Sequence, residues 1–234
     1  MVMAREILGI SGISSYKGRL DSWQHVHKFG SNPSIATAEE SVWSGGGLYP
    51  WPTGAVTLII QSDDTGDAGT VEIQGLDENY NELTETVTLP GGSPNTVTTA
   101  NTFLRVFRMK FTGAADNAGT IIANHTATNI AQIDPGRNQT LMAIYTVPAG
   151  SYAWLLNYSV SVGKNDDALV ELYTRKQGEL FRIQSEVGVF QSSFTKEFPV
   201  PLKLAPKTDI DLRATTTNAG AGHKVIATFD IIYE

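Results

Sequence analysis

The sequence predicts an all-β protein, built as two tandem antiparallel β-sandwiches behind an extended N-terminal arm. Three observations carry this expectation. Short apolar or alternating runs recur at the spacing of sandwiches and barrels, separated by clusters of Gly, Pro, Asn and Asp. Glycine is abundant at 22 residues and threonine is conspicuous, a composition that suits short strands and turns. No window has the 3.6-residue apolar period of an amphipathic helix.

The N-terminal segment, residues 1–50, shows neither period, yet Trp23, Trp43, Tyr49 and Trp51 fall in or next to it. Disordered tails are poor in aromatics, so this segment is expected to be ordered against something. The expected role is an assembly arm, with Trp23, Phe29, Trp43, Tyr49 and Trp51 packing on neighbouring subunits. Wrapping of its own chain is the other reading.

Strand signals begin near residue 52. Residues 56–61 form a short apolar run that ends in the turn cluster Ser62-Asp63-Asp64-Thr65-Gly66-Asp67. Residues 70–76 and 83–89 flank Asp77-Glu78-Asn79-Tyr80-Asn81 as a hairpin. Thr84, Thr86 and Thr88 take one face of its second strand and Leu83, Val87 and Leu89 the other. Residues 103–111 and 119–123 continue the pattern until Asp134-Pro135-Gly136, where a boundary is expected. The predicted organisation is therefore an arm over 1–50, an acidic sandwich over 51–135 and a second sandwich over 136–234.

In the second unit Tyr152, Trp154, Leu156, Tyr158, Val160 and Val162 are every second residue, which predicts one buried face and places Trp154 in the core. Residues 169–174 and 179–184 read as a hairpin across Arg175-Lys176-Gln177-Gly178. Residues 194–198, 210–214 and 225–233 complete the set, with Val225, Ala227, Phe229, Ile231 and Tyr233 on one face. Its seven or eight strands match the count of a jelly roll, and residues 137–234 are expected to fold alone.

Charge and composition exclude several functions. The net charge is −7, and the whole surplus lies in residues 51–135, with ten acidic residues against three basic. Such a module repels phosphate backbones, so nucleic acid is not an expected partner. The absence of cysteine removes disulfides and thiolate sites. The beginning of the chain lacks the basic run and apolar stretch of a secretory signal, which predicts synthesis and retention in a cytoplasm. No apolar run approaches the ~18 residues of a membrane span, and no membrane partner is expected.

Catalytic patterns are equally thin. Four histidines are present, His25, His27, His125 and His223, without a Gly-x-Ser-x-Gly elbow. His25 and His27 would point the same way on an extended segment and are the candidate metal ligands, on spacing alone. The acidic turn 63–67 with Glu72 lacks the spacing of a calcium loop and reads as a solvated turn. Glu85 and Glu171 are the acids inside otherwise apolar strands, and each reads as a strand residue rather than half of a glycosidase pair. No phosphate-cradling glycine loop opens a helix. No cofactor is expected, and the chain is expected not to be an enzyme.

A set of short stretches carries a resemblance. They are Lys28-Phe29-Gly30-Ser31-Asn32-Pro33, Val42-Trp43-Ser44-Gly45-Gly46, Gly75-Leu76-Asp77-Glu78-Asn79-Tyr80-Asn81-Glu82 and Glu85-Thr86-Val87-Thr88-Leu89. They continue with Thr102-Phe103-Leu104-Arg105-Val106-Phe107-Arg108, Asn117-Ala118-Gly119-Thr120-Ile121, residues 139–150 (QTLMAIYTVPAG) and Pro201-Leu202-Lys203-Leu204. Over residues 28–205 the chain resembles virion structural proteins of tailed bacteriophages, frequent in cyanophages and other aquatic phages. The resemblance implies a particle component assembled in the host cytoplasm and carries over no binding residue. The leading expectation is a homotrimeric decoration or cement protein bound to the major capsid protein. A neck, collar or tail-fibre component and a carbohydrate-binding receptor module are the alternatives.

Overall fold

In a computed structural model of the chain, residues 23–217 and 222–233 are described, and they form sixteen β-strands and no helix. In order these are β1 (Gln24–Ile35), β2 (Glu40–Ser41), β3 (Ile59–Ser62), β4 (Ala68–Leu76), β5 (Glu82–Pro90), β6 (Thr96–Thr98), β7 (Arg105–Gly113) and β8 (Ile121–His125). They continue as β9 (Thr128–Ile133), β10 (Ile144–Thr146), β11 (Ala153–Val162), β12 (Asp167–Arg175), β13 (Arg182–Phe190), β14 (Ser193–Leu204), β15 (Asp209–Thr215) and β16 (His223–Tyr233).

All pairings are antiparallel, and the strands make four sheets around two main cores. The sheets β6-β3-β8-β9 and β5-β4-β7 enclose Leu58, Ile60, Val71, Ile73, Met109, Ile121 and Ile133. The sheets β1-β16-β11-β14 and β10-β15-β12-β13 enclose Leu155, Tyr158, Val170, Leu172, Leu212, Phe229 and Ile231, and β2 adds to β15. The all-β, sandwich-like class is the one the alternation predicts.

The connectivity departs from three units in a row. β1 pairs with β16 from Gln24↔Tyr233 to Ile35↔His223, and β2 pairs with β15 through Ser41↔Arg213. The chain thus lays two strands of its second sandwich, leaves to build the whole first sandwich over 59–133, and returns at β10. For residues 23–50 the expected arm is corrected: they are strands and a crossing of the same chain. Residues 1–22 lie outside the described residues. The reason is visible at Gly30, where a Cβ would overlap the Val42 carbonyl and the Ala143 amide. The returning backbone crosses directly over β1, and only glycine admits that approach.

Three of the bulges among the described residues bear on which way side chains face. The β4–β5 hairpin needs none: Leu76↔Glu82 closes it, and Asp77 Oδ1 accepts from the amides of Asn79 (2.8 Å) and Asn81 (2.9 Å). In β11, however, Leu155 pairs with Ile231 and Asn157 with Asp230, so Leu156 is an extra residue. A bulge residue reverses the alternation. Ala153, Leu155, Tyr158 and Val160 are therefore buried, while Tyr152 and Trp154 face outward, against the expected single apolar face. A second bulge, between Gln74 and Gly75 opposite β7, turns Phe107 toward the other sandwich, where its ring lies 4.7 Å from that of Tyr145. A third sits at Gln184 in β13.

Candidate assembly surfaces

The five aromatic residues expected to meet neighbouring subunits divide into two groups. Trp43, Tyr49 and Trp51 are 3%, 2% and 7% exposed and lie in the crossing that joins the sandwiches. Their rings stack edge to face, Trp43 on Tyr49 at 5.5 Å and Tyr49 on Trp51 at 4.9 Å. Tyr49 OH donates to Val106 O (3.2 Å) and Trp51 Nε1 to Asp211 Oδ2 (3.2 Å). The expected intermolecular role is corrected for these three residues, because their own chain covers them. An aromatic that finds both a dry ring face and an acceptor within its chain has no remaining drive toward a partner.

The same seam gathers charge. Along β15 the even residues Ile210, Leu212 and Ala214 point into the second core, so Asp209, Asp211 and Arg213 face the first sandwich. Arg105 grips Asp209 with two hydrogen bonds of 3.0 and 3.2 Å, and Arg175 donates twice to Asp209 Oδ2, at 2.9 and 2.6 Å. Thr146 Oγ1 donates to Asp209 Oδ1 (2.6 Å). Arg213 bridges Asp211 and Glu39, each at 2.7 Å. The ring of Phe181 lies against the guanidiniums of Arg175 (4.3 Å) and Arg213 (4.4 Å). Burial pushes the Asp211 carboxyl up, against the pull of Arg213, Ser41 and Trp51. Nearby, burial and then the charges of Glu39 and Glu186 raise Glu171. These charged groups pair with one another across the seam between the sandwiches.

Trp23 and Phe29, the other two expected anchors, are half-buried on β1 and its N-terminal flank, on the outer face with His25 and His27. Trp23 stacks on Trp154 at 4.9 Å, and Arg108 lies over Phe29 at 5.9 Å. His25 Nε2 and His27 Nδ1 both approach Asp230 Oδ1, at 2.9 and 2.8 Å, because His27 is in register with Asp230 on β16. Among the described residues no group of three His, Cys, Asp or Glu is arranged to hold a metal ion. Burial pushes the Asp230 carboxyl up, but hydrogen bonds from His27, His25 and Asn157 outweigh it and hold the group below its usual range. A carboxyl lowered on folding stabilises above its unfolded pKa, and that contribution is lost as pH falls through the folded value. Replacing both histidines by alanine is expected to raise the Asp230 pKa, read from the carboxyl carbon shift in an NMR titration. An unchanged value would mean the imidazoles do not set it.

The free surface is elsewhere. Among the described residues β13 pairs only with β12 and β14 only with β11, so both outer strands on one flank of the second sandwich are unpaired edges. Leu180 (83% exposed), Ile183 (50%), Phe190 (67%) and Val200 (78%) all lie in the short stretch 180–200 that forms it. Tyr152 is also exposed, under the Lys203 ammonium at 4.2 Å. Pro199 and Pro201 remove two amides from β14, and four residues there, 198–201, oppose the single bulged Leu156. Sequence reading ended the β13 strand at residue 184 and so missed this flank. The signal available was the isolated apolar pair Phe190 and Val200, which fits no alternating face.

The remaining titratable candidates have structural partners. Asp67 accepts from Ser62 Oγ (2.6 Å) and from the amides of Ala118 (2.7 Å) and Gly119 (3.1 Å), and Asp63 from that of Thr120 (2.7 Å). The acidic turn thus pins the loop before β8. Glu85 accepts from the amides of Ala100 (2.6 Å) and Asn101 (2.9 Å). His125 Nδ1 lies 3.1 Å from Thr57 O, and buried His223 accepts from the Asp167 amide at 3.0 Å.

No protein-family model matches the chain. No curated protein matches it. Among solved structures it is similar to that of the infectious bursal disease virus Gt strain, with 8% identity, 90% of this chain and 72% of the other covered, and a TM-score of 0.25. The Gx strain structure gives 9% identity, coverage of 91% and 76%, and a TM-score of 0.23. The VP2 subviral particle of the same virus gives 8%, coverage of 90% and 76%, and 0.20. Scores of this size do not define a shared topology, and the functional reading rests on the chain's own surfaces.

Proposed function

We propose that this chain is a non-enzymatic structural subunit of a tailed-bacteriophage particle, a homotrimeric decoration protein that clamps neighbouring copies of the major capsid protein. The observation that carries the reading is the apolar flank of β13 and β14, on a body whose charged clusters are otherwise spent on internal structure. Large apolar side chains left exposed along unpaired strand edges favour an interaction surface there. The short matching stretches over residues 28–205 support the assignment to virion proteins. A receptor module is less well supported: the Trp23 and Trp154 rings face each other and Lys203 covers Tyr152, which leaves little open ring for a sugar. The test is stoichiometry and attachment. Purified particles should contain the protein in proportion to the major capsid protein, and stripped particles should rebind it. A few copies per particle would assign it to the neck or a fibre instead. Absence from the particle would end the reading.

A further inference from the structure

We infer that the flank formed by β13 and β14 is the contact between copies of this chain, an inference that rests on the assembly reading above. Three observations favour a second copy as occupant. The first is charge. Copies of a −7 chain repel one another, and the surplus is confined to residues 51–135. Residues 176–204 carry four basic and three acidic residues, so the flank is nearly neutral and mixed in sign. Contact through this segment therefore brings little net charge together, and the acidic surplus lies outside it.

The second observation is area. Strands of nine and twelve residues rising about 3.3 Å per residue, in sheets about 10 Å apart, give a flank of roughly 300–400 Å², about half of the ~800 Å² per partner of a standard interface, so each pairwise contact is a small one. Leu180, Ile183, Phe190 and Val200 are spread along it as its exposed large apolar side chains. The third is the state of the edges. The Gln184 bulge and the two prolines interrupt both strands, so a neighbour cannot extend the sheet without limit. Side-chain packing between flanks therefore closes an oligomer rather than propagating a fibre.

The test uses the full chain, compared with the Phe190→Asp/Val200→Asp double variant by light scattering and sedimentation across a concentration series. The wild type is expected to be oligomeric and the variant monomeric, with unchanged circular dichroism and cooperative unfolding, since neither side chain is in a core; the thermal midpoint should fall only by what the lost association contributed. The single variant Val200→Lys should weaken the dissociation constant at least about tenfold, and it serves should the double variant fold poorly. A wild type that stays monomeric, or variants that keep the oligomer, would overturn the inference. Particle rebinding is scored separately. Oligomeric variants that still rebind particles refute the flank contact and leave the virion reading intact, whereas an oligomeric wild type that never binds particles refutes only that reading.

Discussion

Replacing Asp209 by alanine is expected to lower the unfolding free energy by about 3–5 kcal/mol, the cost of breaking a buried pair by removing one partner. Asp209 is 2% exposed and receives five hydrogen bonds, four from two guanidiniums. Without it Arg105, itself 5% exposed, keeps no carboxylate for its charge, only the carbonyls of Pro52 and Leu104 and the rings of Trp51 and Tyr80. Arg175 would remain beside it with no carboxylate between the two cations. Asp209→Asn should cost nearly as much, because it preserves shape but not charge. Since the groups are shielded from solvent, added salt should change the loss little. The surface pair Lys110–Glu72, at 3.3 Å with both side chains well exposed, is the control; Glu72→Gln should cost under about 1 kcal/mol. Denaturant titration of the three variants decides the matter. An Asp209→Ala loss no larger than the control's would show that aromatic packing, not the ion network, holds the seam.

The parts of this fold legible in the sequence are those governed by neighbours in the chain. The β4–β5 hairpin follows from its turn chemistry, and β16 follows from strict alternation, with Val225, Ala227, Phe229, Ile231 and Tyr233 all buried. Alternation fails where one residue is inserted: Leu156 reverses β11, and Trp154 moves from an expected core position to the outer face. Whether an extra residue is absorbed as a bulge depends on the partner strands, which local periodicity does not contain. The aromatics near the start of the chain were readable as needing cover, but what covers Trp43, Tyr49 and Trp51 depends on pairings some two hundred residues apart, such as Gln24↔Tyr233. β1 itself hides its nature. Lys28 is buried in it, donating to Phe107 O, and burial and then Arg108 lower its pKa well below the usual lysine value. A lysine in that position reads as solvent-facing in any pattern based on polarity. Of the proposed assembly surface, composition gave the balanced charge of the second half, while the free edges belong to topology alone.

Deleting residues 1–50 is expected to unfold the second sandwich, and with it to abolish any assembly that depends on that sandwich. The segment contributes β1, which covers the whole edge of β16, and β2 with the crossing that follows it. Val42 N donates to Leu212 O (2.8 Å), and its own carbonyl accepts from Ala143 N (3.0 Å), so this crossing bridges β15 to the stretch just before β10. Ile35 and Val42 are 1% and 0% exposed in the same core as Phe229 and Ile231. Burying each such side chain is worth about 1.5–3 kcal/mol, and Trp43 and Tyr49 would be lost from the adjoining core as well. Together these terms are comparable to the 5–15 kcal/mol that separates a typical domain from its unfolded state. For the same reason a fragment of residues 137–234 is expected not to fold alone: it leaves β16 as a bare edge over an open core. A chain beginning at residue 23 retains every pairing named here and is the control. It should unfold cooperatively, while the chains beginning at residues 51 and 137 should aggregate or show non-cooperative transitions in circular dichroism and calorimetry. Cooperative unfolding of either shorter chain, at a midpoint near that of the control, would mean that β1 and β2 decorate a sandwich already complete without them.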